Sequence, residues 1–187
     1  MRVLIVTGGT RGDVDPLFAL HRALERAGHS VLFAGPPDFA HLRERGVDYL
    51  PVGSEARAWA EDWGRRPPTR AVLRETARAE LELHVRTLLP HLEGVDVVLG
   101  CGGAYAASTL AEAAGASFWR VAFCPIELRS RRHPPAYVPL QLRSMPSLVC
   151  RALWQLHRVR LDDLLRDELN RHRRALGLRP ASDTWHC

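Results

Sequence analysis

Apolar positions along the chain follow two alternating periods. Residues 2–7 (RVLIVT) form a short, β-rich apolar run closed by Gly8 and Gly9, the pattern of a buried strand. Past the GGTRGDVD loop, Leu17, Leu20, Leu24 and Ala27 recur on one helical face, with Asp15 as the expected cap, Pro16 in the first turn and Gly28 as the stop. The pairing then repeats: residues 30–34 read as a strand, 37–45 as a short helix ended by Gly46, and 47–52 as a third strand. Residues 54–68, which hold Trp59, Trp63 and Pro67-Pro68, have little period and read as a loop or short helix. A long helical pattern covers 69–92. It is followed by a strand at 96–99, a Cys101-Gly102-Gly103 turn, a small-residue helix at 104–114 and a strand at 117–123.

Beyond Pro125 the period is lost. Pro134, Pro135, Pro139 and Pro146 mark a surface excursion, and residues 147–176 return to a helical pattern, with a break expected near Arg160 and Asp162 and closure at Gly177 and Pro180. Alternating strands and helices predict parallel strands joined by right-handed crossovers. The expected class is therefore α/β, a Rossmann-like parallel sheet flanked by helices, over residues 1–180. Residues 181–187 (ASDTWHC) read as a tail or the start of a linker.

Composition narrows this little. The 187 residues are 46% hydrophobic, enough for one domain with a real core. No run approaches the eighteen apolar residues of a membrane span, so stable membrane insertion is not expected. All 26 basic residues are Arg, which reads as a coding bias, against 21 acidic ones. The charge is uneven: residues 1–128 carry 14 Arg and 16 acids (14 − 16 = −2), and residues 129–187 carry 12 Arg and 5 acids (12 − 5 = +7). No zinc-finger spacing, arginine-glycine repeat or stacking signature accompanies that basic third, so nucleic acid is not expected as a partner. Cys101, Cys124, Cys150 and Cys187 form no CxxC pair, and the chain starts directly on a strand, which fits a reducing cytoplasm. The nine His show no metal-ligand spacing.

In doubly wound folds the loop after the first strand enters the ligand crevice. Here it reads Gly8-Gly9-Thr10-Arg11-Gly12-Asp13, which is neither the GxGxxG dinucleotide fingerprint nor a P-loop, as the phosphate-binding lysine is absent. A carboxylate at this place can take a proton from a hydroxyl nucleophile, so Asp13 is a candidate general base; the alternative is that it only caps the loop or helix. Arg11 reads as a phosphate contact or as half of a salt bridge. Glu127 and Arg129 read foremost as a solvated ion pair, and Cys101 as a buried structural thiol.

The same loop carries a resemblance. The run GGTRGDV-P-x-x-AL, the following GH-x-V-x-x-A-x-P-x-x-F, the GCGG turn, AEAAGASFW and LNRHRRALGLRP together resemble bacterial glycosyltransferases that attach sugars to antibiotics and other lipophilic natural products, with sterol glucosyltransferases as relatives. The likeness covers essentially the whole chain. It implies the N-terminal, acceptor-binding half of a GT-B architecture, in which a second Rossmann-like domain holds a nucleotide-diphosphate sugar as co-substrate, no other cofactor or metal is called for, and the anomeric centre is inverted. It places the base on Asp13. Around Asp13 it implies an acceptor cleft formed by Gly9, Thr10, Arg11, Gly12, Trp59, Trp63, Gly102, Gly103 and the Pro-rich excursion.

The donor half of such an enzyme is not in this sequence. A hexosyltransferase-type activity is implied, with this chain alone incomplete for it, since the reacting geometry arises between two domains. The chain then reads as a fragment, a truncated gene product, the acceptor half of a split glycosyltransferase paired with a separate donor chain, or a non-enzymatic binding or helper module. Expected partners are a lipophilic small-molecule acceptor and the donor domain, with homo-oligomerisation left open.

Overall fold

A computed structural model describes residues 1–58, 61, 68–124, 127–136, 138 and 145–184. Five strands, β1 (Arg2–Gly8), β2 (Ser30–Gly35), β3 (Tyr49–Pro51), β4 (Val97–Gly102) and β5 (Ser117–Val121), make one all-parallel sheet in the order β3-β2-β1-β4-β5. The central strand β1 pairs with β2 from Arg2↔Ser30 to Val6↔Ala34 and with β4 from Val3↔Val97 to Gly8↔Gly102. Chain order reverses direction across the sheet between β1 and β4, and in open α/β sheets such a switch point leaves a crevice at the carboxyl ends of the strands.

The two faces of the sheet follow from the two-residue period of β1. Val3 and Ile5 face a core shared with Phe33, Leu99 and Cys101, covered by α1 (Arg11–Arg26) and a 3-10 segment (Pro37–Arg45). Leu4 and Val6 face the opposite core with Val98, Leu81, Leu88 and Leu110, covered by α2 (Arg70–Leu88), α3 (Ala107–Ala114) and α4 (Ser147–Ala175). Both faces are filled, which is why the strand sequences are continuously apolar rather than alternating.

Several boundaries differ from the sequence expectation: β4 continues to Gly102, α3 starts at Ala107 and β5 ends at Val121, and three further differences have a local physical reason. First, α1 starts at Arg11, ahead of Pro16. The Thr10 N–H donates to Asp13 Oδ2 at 3.0 Å, which satisfies an orphan donor of the helix end early, while Asp15 pairs with Arg11 at 2.7 Å instead of capping. Pro16 lies inside the helix, where it forgoes one backbone hydrogen bond. Second, α4 runs unbroken for 29 residues through Arg160 and Asp162. The acids at the expected break have partners elsewhere: Asp162 Oδ1 accepts from the Thr184 N–H at 2.8 Å, and Asp163 pairs with Arg70 at 2.6 Å and Arg74 at 3.0 Å. Third, β3 is only three residues long and ends on Pro51, as befits an edge strand with a residue that cannot donate.

Residues 178–184 turn back along α4. Ala181 and Asn170 exchange two hydrogen bonds (2.7 and 3.1 Å), and Thr184 is buried against Asp162. The buried Arg173 joins α4 to α3 by donating to Glu112 at 2.7 Å, to Thr109 at 3.2 Å and to the Arg179 carbonyl at 2.7 Å. Among the described residues no helix is long and apolar enough to cross a membrane.

Candidate functional site

Two glycine pairs meet at the switch point. Gly8 and Gly102 lie opposite each other at the carboxyl ends of β1 and β4, and the Gly103 N–H donates to the Gly8 carbonyl at 3.2 Å. Gly102 has φ +58°, and any side chain there would collide with the Gly8 carbonyl oxygen, so the closeness of the two turns depends on glycine. Gly9 has φ +140°, and a Cβ on it would run into Oδ2 of Asp13.

Asp13 is thereby laid over glycine backbone, half-buried, at the third position of α1. Its two oxygens have different surroundings. Oδ2 is held by the Thr10 N–H, whereas Oδ1 faces the β4 turn, about where a side chain of Gly102 would begin, 3.5 Å away. The two readings of Asp13, cap and base, are therefore compatible: one oxygen caps and the other remains to accept a proton. Burial, and then the neighbouring Asp13, raise the carboxyl pKa of Glu127, against a smaller opposing effect of Arg120. Burial, followed by Asp13 and Glu127, pushes the Cys101 thiol up to about 11, so it is protonated at neutral pH and unsuited to attack as a thiolate. Glu127 forms no ion pair with Arg129 among the described residues, contrary to the sequence expectation; its charged neighbours are Asp13 and Arg120.

Beside this centre lies a cavity of about 430 Å³, within the range of small-molecule pockets. Gly8, Gly9, Gly103 and Tyr105 close one part, the 52–56 loop another, and α2 and α4 form apolar walls through Leu73, Ala77, Leu161, Leu164 and Leu165. Gly9 joins the two regions, as it both lines the cavity and packs on the Asp13 carboxylate.

Of the residues singled out from sequence, Gly9, Asp13, Gly102 and Gly103 come together here. Thr10 is exposed and contributes its backbone N–H to Asp13. Arg11 points outward, its side chain 84% exposed and paired with Asp15, and Gly12 is exposed with nothing within 4 Å of where a Cβ would stand. Trp59 and Trp63 lie outside the described residues.

Sequence reasoning missed Glu80 and His84, which line the cavity four residues apart on α2. The signal was present: both interrupt an apolar stripe of Leu73, Ala77, Leu81, Val85 and Leu88 at core-facing positions. A separate cluster of Glu82, Glu168 and His172 has metal-like spacing. Its carboxylates are taken by guanidinium groups, with Arg171 bound to Glu82 at 2.6 Å and to Glu168 at 2.5 Å, and Arg78 to Glu168 at 3.2 Å. The charge is neutralised within the protein, and the network ties α2 to α4.

GtfC, a glycosyltransferase of Amycolatopsis orientalis, is 31% identical over 190 residues, covering 99% of this chain and 46% of the relative. The vancomycin aglycone glucosyltransferase of the same organism is also 31% identical, again over 99% of this chain and 46% of the relative. The chain thus spans about half the length of the curated relatives it matches. Among solved structures, the glycosyltransferase SnogD from Streptomyces nogalater superposes with a TM-score of 0.57 at 16% identity, covering 96% of this chain and 43% of that one, which establishes the fold as the corresponding half of a GT-B architecture. Residues 3–122 match the glycosyltransferase family 28 N-terminal domain, and with the sheet, the paired glycine turns and the full-length relatives in accord, the chain belongs to that family.

Proposed function

We propose that this chain is the acceptor-binding portion of an inverting glycosyltransferase that moves a sugar from a nucleotide-diphosphate donor to a hydroxyl of a lipophilic natural product. The observation that carries this reading is the Asp13 carboxylate, seated on glycine backbone with Oδ2 tethered and, among the described residues, Oδ1 without a hydrogen bond, next to a largely apolar cavity of about 430 Å³. An acceptor lying in the cavity presents its hydroxyl past Gly9 to Asp13. Oδ1 takes the hydroxyl proton as the acceptor oxygen forms a bond to the anomeric carbon, the bond from that carbon to the diphosphate oxygen breaks, and the nucleoside diphosphate leaves with the electron pair. A single displacement of this kind inverts the anomeric centre. General-base assistance contributes typically ~10²–10⁴-fold.

The donor is held by a second domain, a reading supported by relatives about twice as long as this chain. The name of one relative, a vancomycin aglycone glucosyltransferase, supports a hexose as the transferred sugar and an antibiotic aglycone as the acceptor. By itself this chain is expected to bind acceptor without turnover, because the reacting geometry forms between two domains.

The test is reconstitution. The chain is fused to, or mixed with, the donor domain of a homologous enzyme and assayed for sugar transfer to a panel of aglycones. Transfer that is lost in Asp13→Asn while acceptor binding persists supports the role of Asp13. Undiminished turnover in Asp13→Asn eliminates Asp13 as the base, and failure of every aglycone to bind the isolated chain eliminates the acceptor role altogether.

A further inference from the structure

In the largely apolar wall of the cavity beside Gly9, Glu80 and His84 place a carboxylate and an imidazole one helical turn apart. Glu80 Oε1 accepts a 3.0 Å hydrogen bond from the Ser54 N–H and a second bond from the Ser54 hydroxyl. Its other oxygen, Oε2, lies 3.8 Å from Nε2 of His84, a gap too long for a direct hydrogen bond. His84 is only 2% exposed, and no direct hydrogen bond reaches its ring among the described residues. Burial lowers its pKa, and the smaller opposing influence of Glu80 does not reverse this, so the ring is neutral at pH 7.

Gly53 completes the arrangement. It has φ +81°, and a Cβ there would stand 2.7 Å from Glu80 Oε2 and 3.1 Å from His84 Nε2, so only glycine lets the backbone pass this close to both atoms without crowding them. The three residues do not form a nucleophilic triad. In such a triad the imidazole touches the serine, whereas here the Ser54 hydroxyl bonds to the carboxylate. What remains is a pair of polar atoms in the cavity wall, an acceptor and a ring nitrogen, whose spacing one oxygen atom can bridge at hydrogen-bond distance from each.

We propose that Glu80 and His84 select acceptors carrying a second hydroxyl, remote from the one that is glycosylated, on an otherwise apolar ring system. That hydroxyl donates to Glu80 Oε2 and accepts from His84 Nε2–H. An ether or a bare ring in its place leaves the carboxylate and the imidazole buried under the ligand without partners, which is how a polar spot in an apolar pocket discriminates. The inference rests on the cavity being the acceptor site, and names the specificity element within it.

The experiment uses the whole chain and three matched probes, 7-hydroxyflavone, 7-methoxyflavone and flavone, with affinities measured by titration calorimetry. The wild type is expected to bind the hydroxyl compound about 10- to 100-fold more tightly than the other two, the range set by one hydrogen bond to a charged group. Glu80→Gln and His84→Leu are expected to remove most of that preference. Ala77→Trp, or Thr76→Phe if the former lacks a native far-UV spectrum, fills the cavity and is expected to abolish binding of all three.

Equal affinity for the three probes in the wild type overturns the proposal. So does a hydroxyl preference that survives in both Glu80→Gln and His84→Leu, or one lost only in Asp13→Asn. In those outcomes the cavity reading stands if the filled variants still lose binding. Undiminished binding in the filled variants, or no binding of any probe to the wild type, overturns the cavity reading itself and this inference with it.

Discussion

Replacing Gly9 by alanine tests the glycine-supported seat of Asp13 directly. Two costs combine. At φ +140° a residue with a Cβ is strained by about 1–3 kcal/mol. The new methyl also runs into Asp13 Oδ2, and displacing that oxygen breaks its hydrogen bond from the Thr10 N–H, worth about 1 kcal/mol at a helix N-terminus. Gly9→Ala is therefore expected to destabilise by about 2–4 kcal/mol in total. A double-mutant cycle separates the two. In an Asp13→Ala background the carboxylate is absent, so Gly9→Ala should cost only the backbone strain, and the cycle should close with a coupling of about 1 kcal/mol. Gly12→Ala, three residues on in the same loop, is the internal control: nothing lies within 4 Å of its Cβ and it sits in the first turn of α1, so it is expected to stabilise by about 0.5–1 kcal/mol. Urea unfolding followed by far-UV circular dichroism reads all five proteins. A Gly9→Ala cost under about 0.5 kcal/mol, or one equal in both backgrounds, refutes the contact between Gly9 and the carboxylate.

Removing the buried Arg173 side chain in Arg173→Ala should cost about 2–4 kcal/mol by urea unfolding, because its bonds to Glu112, Thr109 and the Arg179 carbonyl are lost together; a cost near zero would show that the α3–α4 tie is not made. His21, His84 and His157 all have pKa values lowered from the ordinary 6.5, by burial first, so the unfolded chain takes up protons that the native state refuses. Stability should accordingly be full above about pH 6.5 and decline as the pH falls below it, and a urea midpoint that stays level or rises between pH 7.5 and 5 contradicts this sign. Iodoacetamide at neutral pH should modify the exposed Cys124 in the native protein, and reach the buried Cys101 and Cys150 only after denaturant is added, as mapped by peptide mass; early labelling of Cys101 would overturn its burial.

The sheet was readable because its central strands are buried on both faces and bounded by glycine, so that residues 2–7 and 96–99 announce themselves as apolar runs, although the second strand extends through Cys101 to Gly102 where a turn was expected. Errors arose where a partner distant in sequence, or a side chain acting on its own backbone, overrode the local signal. Pro16 looked like a helix start until the Asp13 carboxylate satisfied the donor of Thr10. Arg160 and Asp162 looked like a break in α4, yet Asp162 and the adjacent Asp163 find their partners in Thr184, Arg70 and Arg74. Tertiary pairing of this kind leaves no trace in periodicity. The site divides in the same way. Gly9, Asp13, Gly102 and Gly103 are legible because turn glycines at strand ends mark the crevice of a doubly wound sheet. Arg11 drew attention as a charge beside those glycines, but the helix turns it outward to Asp15. Glu80 and His84 were visible only as two polar residues on an apolar stripe, and their meaning depends on Ser54 and Gly53, which arrive from another loop.

The pairing of β1 with β4 also sets a timetable. The Arg2 N–H donates to the Asp96 carboxylate across 94 positions, and Gly8 waits for Gly102. At about 5–20 residues per second, a ribosome needs roughly 5–20 s to deliver the second strand after the first. During that interval the chain holds β1 and β2 with one open edge at what becomes the middle of the sheet, a state prone to pairing with other nascent chains. The paired glycine turns close only when that edge does, so a ribosome that stalls short of Gly102 leaves behind a sticky strand and no trace of a crevice.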